Sequence, residues 1–176
     1  MTPSLAFLLS GGTIFVIVLI VLAFWFGMRA IQIVDQGTER TVLRLGRYSR
    51  TLEPGFRLIN PLLDRADRKV NMKETVLDVP RQEVITKDNV TVGVDAVVYF
   101  RVINAPKAVL ETTNYIYATS QFAQAALRDV TGNVDMDDLL AKREEISQQI
   151  KEIVDAETDK WGIDVENVKI QNIELP

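Results

Sequence analysis

Two hydrophobic patterns lie end to end in this chain. From Met1 to Met28 no side chain carries a charge, and Ile14 to Phe26 is an unbroken apolar run. Read as a helix rising about 1.5 Å per residue, Phe7 to Phe26 reaches about 30 Å, the thickness of a bilayer's hydrocarbon core. After Arg29 the pattern turns to alternation. Thr41 to Leu45 alternates before Gly46, and Pro54-Gly55 signals a turn. Val76 to Ile85 is strand-like but interrupted by Pro80, which predicts an edge strand or a bulge. Lys87-Asp88-Asn89 then turns into the clearest strand. Val92, Val94, Ala96, Val98, Phe100 and Val102 fall on one face of it, predicted to meet a core. Thr91, Gly93, Asp95, Val97, Tyr99 and Arg101 fall on the other, predicted to be partly wet.

Helical spacing takes over from Asn104-Ala105-Pro106, an N-cap followed by a first-turn proline. A second helix carries Ile116, Phe122, Ala123, Ala126, Leu127 and Val130 at three- and four-residue intervals and ends at Gly132. The third and longest is predicted to start at Asp135 or Asp137, to bury Leu139, Ile146, Ile150 and Ile153, and to stop at Gly162. Its other faces are charged, with Lys151 and Asp155 four apart and Lys142 and Glu145 three apart. Val168 to Leu175 predicts a last strand that rejoins the sheet. Strands followed by amphipathic helices define an α+β class, helices packed on a mainly antiparallel sheet.

The apolar segment predicts an N-terminal transmembrane helix, with residues 1–29 as anchor and 30–176 as one domain. Ile14, Phe15, Val18 and Leu22 supply its lipid-facing surface; Trp25, Phe26 and Arg29 form an interfacial anchor of aromatic rings followed by a cation. A cleaved signal peptide would need a basic leading region and a small-residue cleavage site. Neither is present around Phe26-Gly27-Met28-Arg29-Ala30. Gly11-Gly12 would permit a re-entrant hairpin, though no internal proline encourages one. Arg29, Arg40, Arg44 and Arg47 follow the segment and nothing basic precedes it, so the positive-inside rule places the N-terminus outside and the domain in the cytoplasm.

Charge and composition narrow the chemistry. With 20 Lys/Arg against 24 Asp/Glu the net charge is −4, which gives no electrostatic case for nucleic acid. The chain has no Cys, which excludes disulfides, thiolate nucleophiles and zinc–thiolate sites. It has no His either, which removes the commonest general base and metal ligand. Ser4, Ser10, Ser49, Ser120 and Ser147 lie outside any Gly-x-Ser-x-Gly elbow, and nothing in the sequence positions a Ser–Lys dyad. Asp135, Asp137 and Asp138 lack the spaced ligands of a calcium loop and read as helix capping. The expectation is a non-enzymatic protein with no cofactor, no metal and no catalytic residue.

Several segments in order resemble one family. Arg143-Glu144-Glu145-Ile146-Ser147, Val154-Asp155, Thr158 and Trp161-Gly162-Ile163 are similar to the signature of stomatin and its bacterial relatives. So are Leu45-Gly46-Arg47, Pro54-Gly55, Pro61, Asp78-Val79-Pro80, Gln82-Glu83, Thr86-Lys87-Asp88 and Asp95 through Val102. The domain is shared by stomatin, prohibitin, flotillin and the HflK/HflC pair, and is called SPFH or band 7. The resemblance runs from about Val34 to Pro176 and looks closest to prokaryotic stomatin-like proteins of the slipin or QmcA type. Asp164 and Asn167 depart from it, standing where that pattern usually has basic residues. The resemblance implies a single-pass protein of the bacterial inner membrane that assembles many copies into a ring or cage and organises a membrane microdomain. It also implies a long C-terminal coiled-coil segment beginning where this chain ends, so a longer natural protein is expected. Its HflK/HflC branch implies an alternative role, a subunit that binds and modulates an ATP-dependent membrane protease.

Two surfaces stand out as candidate contacts. Phe56 to Leu63 is apolar and followed by Arg65, Arg68 and Lys69. A strand with a buried loop would explain it; so would Phe56, Leu62 and Leu63 entering the membrane interface while the three cations meet anionic headgroups. Lys142, Arg143, Glu144, Glu145, Lys151 and Asp155 form a charged strip on the long helix, either solvated or a lateral contact between subunits.

Overall fold

A computed structural model describes residues 11–174. The parts of the predicted anchor before Gly11, including Phe7, Ser4 and Ser10, lie outside the described residues, as do Leu175 and Pro176. Helix α1 (Gly11–Ala30) contains no charge before Arg29 in its last turn. None of Gly12–Ala30 is buried against the rest of the chain. Phe15 is 64% exposed and Phe24 70%, so the helix presents its apolar side chains all round. An α-helix satisfies its own backbone, and this one is long and apolar enough to cross a bilayer.

A small lobe follows without a break. It comprises β1 (Ile31–Val34), β2 (Thr38–Arg44), β3 (Arg47–Leu52), β4 (Gly55–Leu58) and β5 (Asp64–Asn71). β1 and β4 form an antiparallel ribbon, and β3-β2-β5 a separate antiparallel sheet. The β2–β3 hairpin turns through Leu45 and Gly46, both at positive φ (50° and 84°), as a two-residue turn matched to strand twist requires. The core of this lobe is Val34, Val42, Leu52 and Ile59, with Ala66 beside it.

The larger lobe is a three-stranded antiparallel sheet covered on one face by helices. Its strands are β6 (Thr75–Ile85), β7 (Thr91–Val102) and β8 (Ile163–Glu174), with β7 central. The predicted inward face of β7, Val92 through Val102, is buried throughout. Its other face is only partly wet, because Val97 is buried and the Arg81 guanidinium lies over Gly93, within 2.6 Å of where a Cβ would stand. Pro80 sits on an edge strand inside a register shift between Val79 and Gln82, where its missing N–H costs no ladder bond. The helices are α2 (Ala105–Leu110), α3 (Tyr115–Gly132), α4 (Met136–Ala141) and α5 (Arg143–Thr158), then a 3-10 turn over Asp159–Trp161. Asn104 and Asn114 cap α2 and α3, each side chain accepting an N–H at 3.1 Å. α2 lies against β2, β3 and β5, and Val70 of β5 joins the large core, so the lobes share packing.

Five expectations are corrected. The single long helix is two, broken at Lys142 (φ −118°, ψ 38°). Asp135 occupies the N-cap of α4 without bonding it; Asp88, from the β6–β7 turn, accepts the Met136 N–H instead at 3.2 Å. Ile153 is 45% exposed, and the buried stripe of α5 runs Ile146, Ile150, Val154, Thr158. At about 100° per residue those four centre roughly 80° away from Ile153. Ile116 is likewise on the outside of α3. β8 begins at Ile163, five residues before the predicted start. A register shift opposite Tyr99/Phe100 puts Val165 and Val168, three apart, on the same buried face, and so breaks the alternation that marks a strand.

Candidate membrane-facing site

In the β1–β4 ribbon Ile31 pairs with Leu58 and Ile33 with Phe56, so all four side chains share one face. Val34 points the other way into the small core. The shared face is bare: Ile33 is 73% exposed and Phe56 63%, and Ile31 and Leu58 are exposed as well. Ile31 directly follows the last residue of α1, so this apolar face starts where the helix ends.

The loop between β4 and β5 adds to it. Asn60 accepts the N–H of Leu62 through its side chain (3.1 Å) and those of Leu63 and Asp64 through its carbonyl (3.2 and 2.8 Å). That turn leaves Leu62 76% exposed and Leu63 also exposed. Leu45 N donates to Leu63 O at 3.2 Å, which holds the loop beside the β2–β3 hairpin. The turn is fixed at its far end by Asp64, whose side chain is buried. Arg44 donates to it from Nε at 2.7 Å and Nη2 at 3.3 Å, and Asn60 N at 3.3 Å. The Arg44 guanidinium holds the Asp64 carboxyl below its usual range against the opposing effect of burial. Arg50 lies 3.8 Å from the same carboxylate and donates to Leu58 O at 2.8 Å. One buried acid thereby joins β2, β3, β4 and β5.

The predicted cations divide. Arg65 is exposed; Arg68 is committed to Thr113 O at 2.6 Å, and Lys69 to an ion pair with Asp35 that lowers the Asp35 carboxyl's pKa. In α1 the side chains of Ile14, Phe15, Val18, Leu22, Trp25 and Phe26 are all exposed, and Arg29 stacks 4.8 Å from the Trp25 ring centre. The charged strip of α5 also divides. Lys142 pairs with Asp138 at 3.2 Å, and that hydrogen bond raises its pKa. Asp155 accepts the Val165 N–H at 2.9 Å, tying α5 to β8, and forms no pair with Lys151, which is half-buried. Arg143, Glu144 and Glu145 remain exposed. Arg143 and Glu144 line an open groove of about 510 Å³ with Ser147, Gln148, Asn167 and Lys169. Among the described residues no cluster of three His, Cys, Asp or Glu is placed to hold a metal ion.

Sequence reading missed Ile31, Ile33 and Asp64. The two isoleucines carried a signal, alternation around Gln32 directly after the anchor. Asp64 carried none, because its role depends on arginines from two other strands.

A bare apolar helix running into an α+β domain with an apolar face at the junction defines a membrane-associated protein. The model of the SPFH domain / Band 7 family matches residues 32–176, and the chain belongs to that family. It is 47% identical over 84% of its length to the stomatin homolog of Pyrococcus horikoshii, covering 55% of that protein. The stomatin homolog of Pyrococcus abyssi matches at 47%, with 54% of it covered. An uncharacterised protein of Methanocaldococcus jannaschii is 44% identical over 92% of the chain, with 81% of it covered. The chain thus spans only about half the length of the stomatin homologs it matches.

Proposed function

We propose that this chain is the membrane-proximal part of a non-enzymatic scaffold whose copies assemble on a bilayer into a ring or cage and organise the enclosed patch and its proteins. The observation that carries this reading is the continuity of two apolar surfaces. The uncovered side chains of α1 run into Ile31, Ile33, Phe56 and Leu58, with Leu62 and Leu63 on the neighbouring loop. In this arrangement α1 crosses the membrane with its N-terminus outside, as its basic flank favours. The small lobe rests in the cytoplasmic interface, and the helical lobe stands clear to meet neighbouring copies through exposed Arg143, Glu144 and Glu145. One anchor confers only local attachment; many linked anchors gain avidity and enclose lipid.

Imaging the full-length protein in native membrane extract tests this. Closed assemblies with lipid inside are expected; a protein that stays monomeric at native abundance contradicts it. Stoichiometric copurification with an ATP-dependent membrane protease, without self-assembly, would replace it with the regulatory role.

A further inference from the structure

The junction of α1 and the small lobe forms an open cavity of about 680 Å³, a size that admits a small ligand. Arginines from three elements line it: Arg29 at the end of α1, Arg40 of β2 and Arg65 of β5. Met28, Leu62 and Leu63 add apolar walls. One carboxylate, Asp64, also borders it, but its oxygens already accept from Arg44 and Asn60. The lining cations are less engaged. Arg40 donates from Nη1 to the neutral Gln32 Oε1 at 2.9 Å, while its Nε is buried and has no acceptor among the described residues. Arg65 is exposed and takes part in no ion pair among the described residues. Arg29 engages the Trp25 ring rather than a carboxylate. Planar guanidinium forks match the oxygens of phosphate, and three of them converge on this cavity.

We infer that this cavity binds the phosphate of one anionic phospholipid. Arg40 and Arg65 donate to its oxygens, Arg29 closes over it from the helix end, and Met28, Leu62 and Leu63 line the start of its acyl chains. The apolar walls select a lipid over free phosphate, and the last turn of α1 sets the cavity at headgroup depth. The inference rests on α1 crossing the bilayer.

The test uses the full chain in nanodiscs of phosphatidylglycerol and phosphatidylcholine in equal parts, released and weighed by native mass spectrometry. One phosphatidylglycerol should remain per chain, favoured over phosphatidylcholine by about tenfold: both lipids carry the phosphate, but only phosphatidylcholine brings a quaternary ammonium that the three arginines repel. Arg40→Gln and Arg65→Gln should each lower that retention severalfold. Arg47→Gln, an equal loss of charge on exposed β3 outside the cavity, should leave it unchanged. Because Arg65 makes no ion pair among the described residues, its variant keeps the test independent of folding. Equal losses in all three variants would mean diffuse charge attraction and overturn the site. So would equal retention of the two lipids. Displacement by millimolar inorganic phosphate would reassign the cavity to a soluble anion. Carbonate extraction of the wild type separates the two claims: release from membranes overturns anchor and cavity together, whereas retention without lipid selectivity overturns the cavity alone.

Discussion

The large lobe buries a continuous apolar layer between β6-β7-β8 and helices α3 and α5, and turns charged pairs such as Arg101–Glu166 and Lys160–Glu157 outward. The small lobe reverses the proportion. Only Val34, Val42, Leu52 and Ile59 form its core, while Ile33, Phe56, Leu58 and Leu62 stand bare. Apolar content therefore does not separate the lobes; its direction does. A lobe with so small a core gains little from burial, and polar ties through Asp64 and packing of α2 supply the rest. Its outward apolar surplus is a liability in water and an advantage against lipid.

Core truncation should separate the lobes most. Leu127, fully buried in α3, should cost about 2–5 kcal/mol of global stability as Leu127→Ala, read by denaturant unfolding in detergent. Leu52→Ala in the small core should instead raise hydrogen exchange locally in β2 and β3 and barely move the global transition. Equal global losses would show that the lobes unfold as one. Next in size, Asp64→Asn should speed amide exchange across β2 to β5 by about tenfold, leaving β7 protected, since a hydrogen-bonded buried charge is lost.

Acid probes the same hub. The folded Asp64 carboxyl titrates below its ordinary value, so its stabilisation is complete above that value, near pH 4, and fades as pH falls through the folded one. Asp35, lowered by Lys69, acts in the same direction. The small lobe should open first on acidification, and Asp64→Asn should flatten that dependence. Smaller still, Asn104→Ala should cost about 1 kcal/mol by removing the cap of α2, the helix between the lobes. Least of all, Ile33→Ser should change stability by no more than about 0.5 kcal/mol, since Ile33 contributes little to the core. A large loss there would mean that Ile33 packs against protein.

Much of the large lobe was legible in the chain because its signals are local. The alternation of Val92 to Val102 and the cap at Asn104 depend only on neighbours in sequence. What failed depended on distant partners. The break at Lys142 separates two helices whose combined pattern reads as one, and the early start of β8 is hidden by a bulge set opposite β7. The candidate site divided the same way. Phe56, Leu62 and Leu63 were visible as an apolar stretch before a basic one. That Arg68 and Lys69 are spent inside the fold while Arg65 is not follows from Thr113 and Asp35, which sequence spacing does not bring near.

The contrast between the lobes can be measured directly, since the chain has no Cys and takes single labels cleanly. Fluorophores at Ile33→Cys, Leu62→Cys and Gln148→Cys in this chain, reconstituted in bilayers, would be exposed to lipid-borne and to aqueous quenchers. Labels at 33 and 62 should be quenched from the lipid and shielded from water, and the label at 148 the reverse. Equal access of all three to the aqueous quencher would contradict a small lobe seated in the membrane interface.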